Sequence, residues 1–219
     1  MTQNYAFGYG SLIERESRTR TNPNAVDAIP VIITGIERGW WASGGSYGYH
    51  PCFLGARSNP DATCNGVIYP VTEIELQELD YREGLYDRTE VKPTQIQLLN
   101  GAEAMPEDST IWFYSLKPEE AENHKVPTAT HPIVQSYVDI CLNGCFEIEA
   151  MYPLAKAAGY ARLFVTATAD WSKYWENDRV YPRRPFTHVP RARRIDRLLH
   201  EVIPEYFDRV QLQPARWDD

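Results

Sequence analysis

The apolar positions of this chain fall mostly in short runs broken by glycine, proline and asparagine, with a few longer stretches at helical spacing. Tyr5, Ala6 and Phe7 lead into Gly8-Tyr9-Gly10, which predicts a strand ending on a glycine turn. Ser11-Leu12-Ile13-Glu14 has the serine-to-glutamate spacing of a capping box, so a helix is expected to open at Ser11. Ile29–Ile36 is rich in β-branched residues and predicts a buried strand running into Arg38-Gly39-Trp40-Trp41 and a glycine-rich loop, Gly44–Gly48. Val67–Val71, after the Asn65-Gly66 turn signal, predicts another. Thr72-Glu73-Ile74-Glu75 is a second capping box. Behind it, Leu76, Leu79, Asp80 and Glu83 share one helix face, and Gly84 stands where a left-handed cap ends a helix.

Thr89–Leu98 shows partial strand alternation, Asn100-Gly101 a turn, and Thr110–Leu116 an apolar run on both faces, as in a central strand. A helix entered through Pro132 carries the stripe Ile133, Tyr137, Ile140, Cys141, Gly144 and Cys145. Gly144 in its interior predicts close contact with another element. Tyr160–Ala169 reads as a strand, Trp171–Phe186 has no period, and Ile195, Leu198, Leu199, Val202 and Ile203 mark a last amphipathic helix. This order does not alternate strand and helix throughout. It predicts an α+β fold: a mixed sheet or small β-barrel flanked by helices.

Composition adds bounds. The 219 residues are enough for a substantial core, and the net charge of −8 argues against nucleic acid or an anionic membrane as partner. Fourteen tyrosines and six tryptophans predict a ring-packed core and a walled pocket. No run has the length of a transmembrane helix, and Met1–Gly10 lacks a basic region followed by an apolar stretch, so a cytosolic (cytoplasmic) protein without a signal peptide is expected. Cys52, Cys64, Cys141 and Cys145 are too few for a disulfide scaffold and lack tight pairing with histidine, so buried thiols and no metal are expected.

Four features carry candidate chemistry. The Gly8–Leu12 turn presents unpaired N–H groups and the positive end of a helix dipole, a site for an anion. It lacks the lysine of a phosphate loop, so a small carboxylate suits it better; an ordinary glycine turn is the alternative. Glu83 shares a face with Leu76 and Leu79 and sits at a helix end, where burial and dipole both favour its neutral form. That suits a general acid or base, and equally a carboxylate paired with Arg82 or Arg88. Gly44-Gly45-Ser46-Tyr47-Gly48 matches the G-x-S-x-G of hydrolases, but Tyr49-His50-Pro51 follows where that motif needs a helix. Arg183, Arg184, Arg191, Arg193, Arg194 and Arg197 form a basic cluster, read as ion pairs with the chain's own acids or as a phosphate patch.

Three motifs in order, Tyr9-Gly10-Ser11-Leu12, Cys64-Asn65-Gly66-Val67-Ile68-Tyr69 and Leu79-Asp80-Tyr81-Arg82-Glu83-Gly84-Leu85-Tyr86-Asp87-Arg88, resemble the γ-glutamylcyclotransferase family over roughly Asn4 to Cys145. The resemblance implies a small mixed barrel with helices around it over 1–146, a C-terminal helical extension over 147–219 packed on it, and no cofactor. It implies that Tyr9, Gly10, Ser11 and Leu12 hold the α-carboxylate of a small-molecule γ-glutamyl substrate. Glu83 would then move protons as the substrate amine attacks its own γ-carbonyl, closing 5-oxoproline and expelling an amine or amino acid. Tyr114 is the candidate donor to the developing oxyanion, or else a core residue. Trp40, Trp41 and Gly44–Gly48 are the expected wall on the leaving-group side. A non-catalytic carboxylate-binding module of the same fold and a Ser46 hydrolase are the competing readings.

Overall fold

The computed structural model describes residues 3–44, 50–82, 86–106, 108–117, 126–180 and 189–212. The chain begins with β1 (Gln3–Gly8), a 3-10 turn (Ser11–Ile13), α1 (Arg15–Thr21), β2 (Ile29–Ser43), β3 (Cys52–Val71) and α2 (Glu73–Arg82). There follow β4 (Tyr86–Val91), β5 (Ile96–Leu98), β6 (Ser109–Leu116), β7 (Ile133–Val134) and α3 (Gln135–Met151). The last third holds α4 (Pro153–Ala157), α5 (Tyr160–Thr166), β8 (Thr168–Ala169), β9 (Trp175–Asn177), α6 (Ala192–Val202), α7 (Pro204–Phe207) and β10 (Gln211–Leu212).

One mixed sheet organises these elements. Its pairing path runs β10-β9-β7-β3-β1-β6-β4, and β2 branches from β3 to carry β5 and β8. Among the described residues the two ends of the path do not pair, so the sheet is open and not a closed barrel. β1 is interior because both edges are taken, by β3 antiparallel and by β6 parallel. Side chains then alternate as strand geometry requires. Val31, Ile33, Ile111 and Phe113 enter one core cluster, whereas Val67, Tyr69 and Val71 join the larger cluster around α3.

Two expectations change here. Tyr160–Ala169 is a helix followed by a two-residue strand. Tyr160, Ala161, Phe164 and Val165 are the buried positions, which is helical spacing, and propensity yielded to that burial. Ser11 does not cap an α-helix. A single 3-10 turn intervenes, and Glu14 is the cap, its carboxylate accepting from the Ser17 N–H at 2.5 Å. The second capping box forms as expected: Glu75 accepts from the Thr72 N–H at 2.7 Å and the Thr72 hydroxyl accepts from the Glu75 N–H at 3.2 Å.

Burial works against the Glu75 carboxylate, but hydrogen bonds from Asn24 and Thr72 outweigh it and hold the group below its usual range. A carboxylate lowered in this way contributes stability above the ordinary carboxylate range and loses it as the pH falls through the folded-state value. Thr72→Ala is therefore expected to cost about 1 kcal/mol at neutral pH, and less in acid, as measured by urea midpoints.

Helix α3 is buried on nearly all sides, not on one stripe. Gly144 sits against the turn after β1; a Cβ there would come within 2.4 Å of the Glu14 nitrogen. The opposite, polar face carries Ser136, Asp139 and Asn143, and each is met by a side chain from the last third of the chain. Asp178 accepts from the Ser136 N–H at 2.7 Å, Arg179 donates to Asp139 at 2.7 and 2.8 Å, and Arg191 donates to Asn143 at 2.6 Å. The residue boundary at 146/147 falls within this helix.

Candidate active site

A cavity of about 280 Å³ opens where β1 ends and the 3-10 turn begins. Gly8, Tyr9, Gly10, Ser11 and Leu12 form one side of it. Tyr114 of β6, Tyr69 and Leu54 of β3 and Tyr137 of α3 form other walls. Leu79 of α2 and Tyr86 of β4 are also among its described lining residues. These last two bracket Glu83 in sequence; Glu83 itself lies outside the described residues. The loop residues and Tyr114 are thus brought to a single cavity, together with the chain that enters and leaves the Glu83 segment.

The loop is braced by its neighbours. The Tyr9 hydroxyl donates to the Tyr114 carbonyl at 3.2 Å. Ile13 N–H donates to the Gly10 carbonyl at 3.0 Å and Glu14 N–H to that of Ser11 at 3.2 Å. Tyr137, read in the sequence only as part of an apolar stripe, reaches the loop from α3. Burial pushes its phenol well above the usual tyrosine value, and the nearby Ser11 and Leu54 backbone opposes this in part. The phenol is therefore neutral and keeps its proton to donate. Gly10 is what allows this approach, since a Cβ there would lie 2.8 Å from the Tyr137 oxygen.

Tyr114 is the expected oxyanion donor, or else a core residue. Its ring lines the cavity, but its hydroxyl donates to Asp80 Oδ1 at 2.9 Å, and Asp80 also pairs with Arg88 at 3.2 Å. Trp40 and Trp41 do not line the cavity. Trp40 is fully buried behind Tyr137, their rings edge-on at 6.0 Å, and the Trp41 indole N–H donates to Asp170 at 2.5 Å.

The family model described as Gamma-glutamyl cyclotransferase, AIG2-like matches residues 6–131, more than half of the chain and the whole lining of the cavity except Tyr137. This chain belongs to that cyclotransferase family. A solved structure titled Gamma-glutamyl cyclotransferase matches 91% of this AIG2-like chain and 99% of its own, with 17% identity and a TM-score of 0.53. An uncharacterized protein from Homo sapiens matches 78% of this chain and 92% of its own, with 19% identity and a TM-score of 0.53. Both likenesses are of fold. Comparison with curated proteins gives no match.

Other features of this AIG2-like chain fall outside the cavity. The G-x-S-x-G stretch, Ser46 included, lies in 45–49, outside the described residues, as do Arg183 and Arg184. Arg191 and Arg194 lie near chain acids: Arg191 is 3.8 Å from Glu147 and Arg194 3.0 Å from Glu149. All four cysteines are buried free thiols, and burial pushes Cys52 up to about 12. Among the described residues no group of three or more His, Cys, Asp and Glu side chains could hold a metal ion. None of the described helices is long and apolar enough to cross a membrane.

Proposed function

We propose that this protein is a γ-glutamylcyclotransferase that converts a small γ-glutamyl compound to 5-oxoproline and a free amine or amino acid. One observation carries the reading: the Tyr9–Leu12 loop and the residues flanking Glu83 line one small cavity, walled by tyrosines. A volume of about 280 Å³ is at the lower end for ligand pockets and suits a small molecule.

In this reading the loop N–H groups hold the substrate α-carboxylate. Glu83 takes a proton from the α-ammonium, which leaves the amine with a free electron pair. That pair attacks the γ-carbonyl carbon, the new C–N bond closes the five-membered ring, and the carbonyl oxygen takes up negative charge. Tyr137, whose oxygen stands against the Gly10 turn and whose burial keeps the phenol neutral, donates its proton in a hydrogen bond to that oxygen. Collapse of the intermediate breaks the original amide bond; the Glu83 carboxyl gives its proton to the departing amine and, as a carboxylate again, takes the second proton from the ring nitrogen and passes it to water, so the lactam leaves neutral. The nucleophile belongs to the substrate, so ring closure is intramolecular and needs no second reactant to be captured.

The test is to incubate the protein with glutathione, a γ-glutamyl dipeptide and a γ-glutamyl amine, and to quantify 5-oxoproline. Lactam from at least one is expected; none from any of the three overturns the reading in favour of a binding module. Loss of turnover in Ser46→Ala would instead support a serine hydrolase. Tyr137→Phe removes the hydroxyl at the Gly10 turn and is expected to lower kcat/KM by about tenfold; a value within twofold of wild type overturns that role.

A further inference from the structure

Two arginines are buried beneath the Tyr9–Leu12 loop, and neither belongs to the cavity lining. Arg38, fully buried on β2, spends all five N–H donors on neutral oxygens. Nε donates to the Thr168 hydroxyl at 2.8 Å. One terminal nitrogen donates to the carbonyls of Asn65 at 2.8 Å and Tyr9 at 3.1 Å; the other to the Phe164 carbonyl at 2.8 Å and Asn65 Oδ1 at 3.1 Å. Its guanidinium also lies over the Phe164 ring, 3.9 Å from the centroid. Arg18, buried on α1, donates to the carbonyls of Leu12 and Ile13, both at 3.0 Å, and to Ala25 at 2.8 Å.

Together with the 3-10 turn, these bonds engage the carbonyl of every residue from Tyr9 to Ile13. A trans peptide points its N–H opposite to its C=O. Pinning the Tyr9 carbonyl on Arg38 therefore directs the Gly10 N–H away from Arg38, and Gly10 lines the cavity. A desolvated guanidinium is a costly way to fill a core and stabilises less than an apolar side chain of similar volume. A rigid five-donor fork is, however, a means of fixing several oxygens in one plane, and lysine cannot reproduce it.

We propose that Arg38 and Arg18 are positioning residues for the carboxylate subsite. Arg38 turns the Gly10 N–H to the cavity. Arg18 fixes the far end of the 3-10 turn, whose Ile13 and Glu14 N–H groups are spent on the Gly10 and Ser11 carbonyls, and each arginine places a cation behind an anion site. The cavity lining has no lysine or arginine among its described residues, so these two buried guanidinium groups lie outside it. Arg38 also makes the subsite depend on α5 and β8, through Phe164 and Thr168, well beyond the segment that matches the family model. The inference rests on the cyclotransferase reading for the identity of the anion, not for the geometry of the loop.

The test compares wild type with Arg38→Lys, Arg18→Lys and Thr168→Val; the last removes only one acceptor and safeguards against loss of fold. Circular dichroism reports folding, hydrogen exchange reports the Ser11, Ile13 and Glu14 amides, and steady-state kinetics separates KM from kcat. In folded variants, exchange at these amides is expected to rise at least about tenfold, with the β2–β3 ladder unchanged. KM should rise by about tenfold or more in the lysine variants, with kcat within about threefold, because a carboxylate anchor binds ground and transition states alike. Unchanged loop exchange in folded variants, or a fall in kcat at constant KM, overturns the proposal. If wild type forms no lactam, the cyclotransferase reading fails, while the exchange measurement still decides whether the arginines position the loop.

Discussion

Glu83→Gln is expected to slow 5-oxoproline formation by about a hundred- to ten-thousand-fold, the range for a positioned general acid–base. This corresponds to about 3–5 kcal/mol of barrier at 1.36 kcal/mol per tenfold. Glutamine keeps the size and polarity of glutamate but neither accepts nor returns a proton. The substrate enters as an ammonium with no free electron pair, so a reaction without a base waits on the small fraction already deprotonated. The loss should fall on kcat and kcat/KM alike and leave KM within a few-fold, because the proton moves only on the way to the transition state. The acid limb of the wild-type pH–rate profile should vanish in the variant. An unchanged melting temperature with activity within tenfold of wild type would assign the chemistry to another group.

That expectation rests on a pattern legible in the sequence. The sequence spacing puts Leu76, Leu79 and Asp80 on the face expected to carry Glu83, and in the structure Leu76 is buried, Leu79 lines the cavity and Asp80 receives the Tyr114 hydroxyl. The mixed sheet, the Thr72 capping box and the close contact at Gly144 were legible too, because each follows from local spacing. The same serine-to-glutamate spacing failed at Ser11. There Glu14 could serve a helix beginning one residue later, a competition that no single-site rule ranks.

What sequence patterns concealed were the long-range roles. Tyr137 fits an apolar stripe, and only the fold brings its hydroxyl to Ser11, far away in the chain. Arg38 did leave a signal, an arginine two residues after Ile36 and two before Trp40 in a strand whose other inward positions are apolar. A charge in such a place has to find several acceptors, and five neutral oxygens are what it finds. Ser136, Asp139 and Asn143 lie off the apolar stripe of α3. They are buried because their partners, Asp178, Arg179 and Arg191, come from a stretch with no periodicity and from the start of α6.

The most consequential of those partners is Arg179, and Arg179→Met is expected to destabilise the protein by about 3 kcal/mol at neutral pH. Asp139 is fully buried and bonded to Arg179 through both carboxylate oxygens, with Gln135 as a further donor at 2.9 Å. Removing one member of a buried pair leaves the other as an uncompensated charge, a cost of about 3–5 kcal/mol. The lower end applies because the Arg179 side chain is 25% exposed, so water can reach the space it leaves. Asp196, which shares Arg179 and is more exposed, loses less. The pH dependence has a definite sign. Burial already holds the Asp139 carboxyl above its usual value, against the opposing hydrogen bonds from Arg179 and Gln135. Without Arg179 that upward shift grows. A carboxyl raised in the folded state contributes most below its unfolded value and loses that contribution as the pH rises through the folded one. The deficit of Arg179→Met should therefore be largest at neutral and alkaline pH and shrink as the medium is acidified. Urea midpoints of both proteins at pH 7.5 and pH 5 measure it. A deficit that widens in acid would mean that Asp139 stays ionised without its partner. Because Ser136 and Asp139 flank Tyr137 on the same helix, the variant should also lose affinity for substrate under conditions where it remains folded.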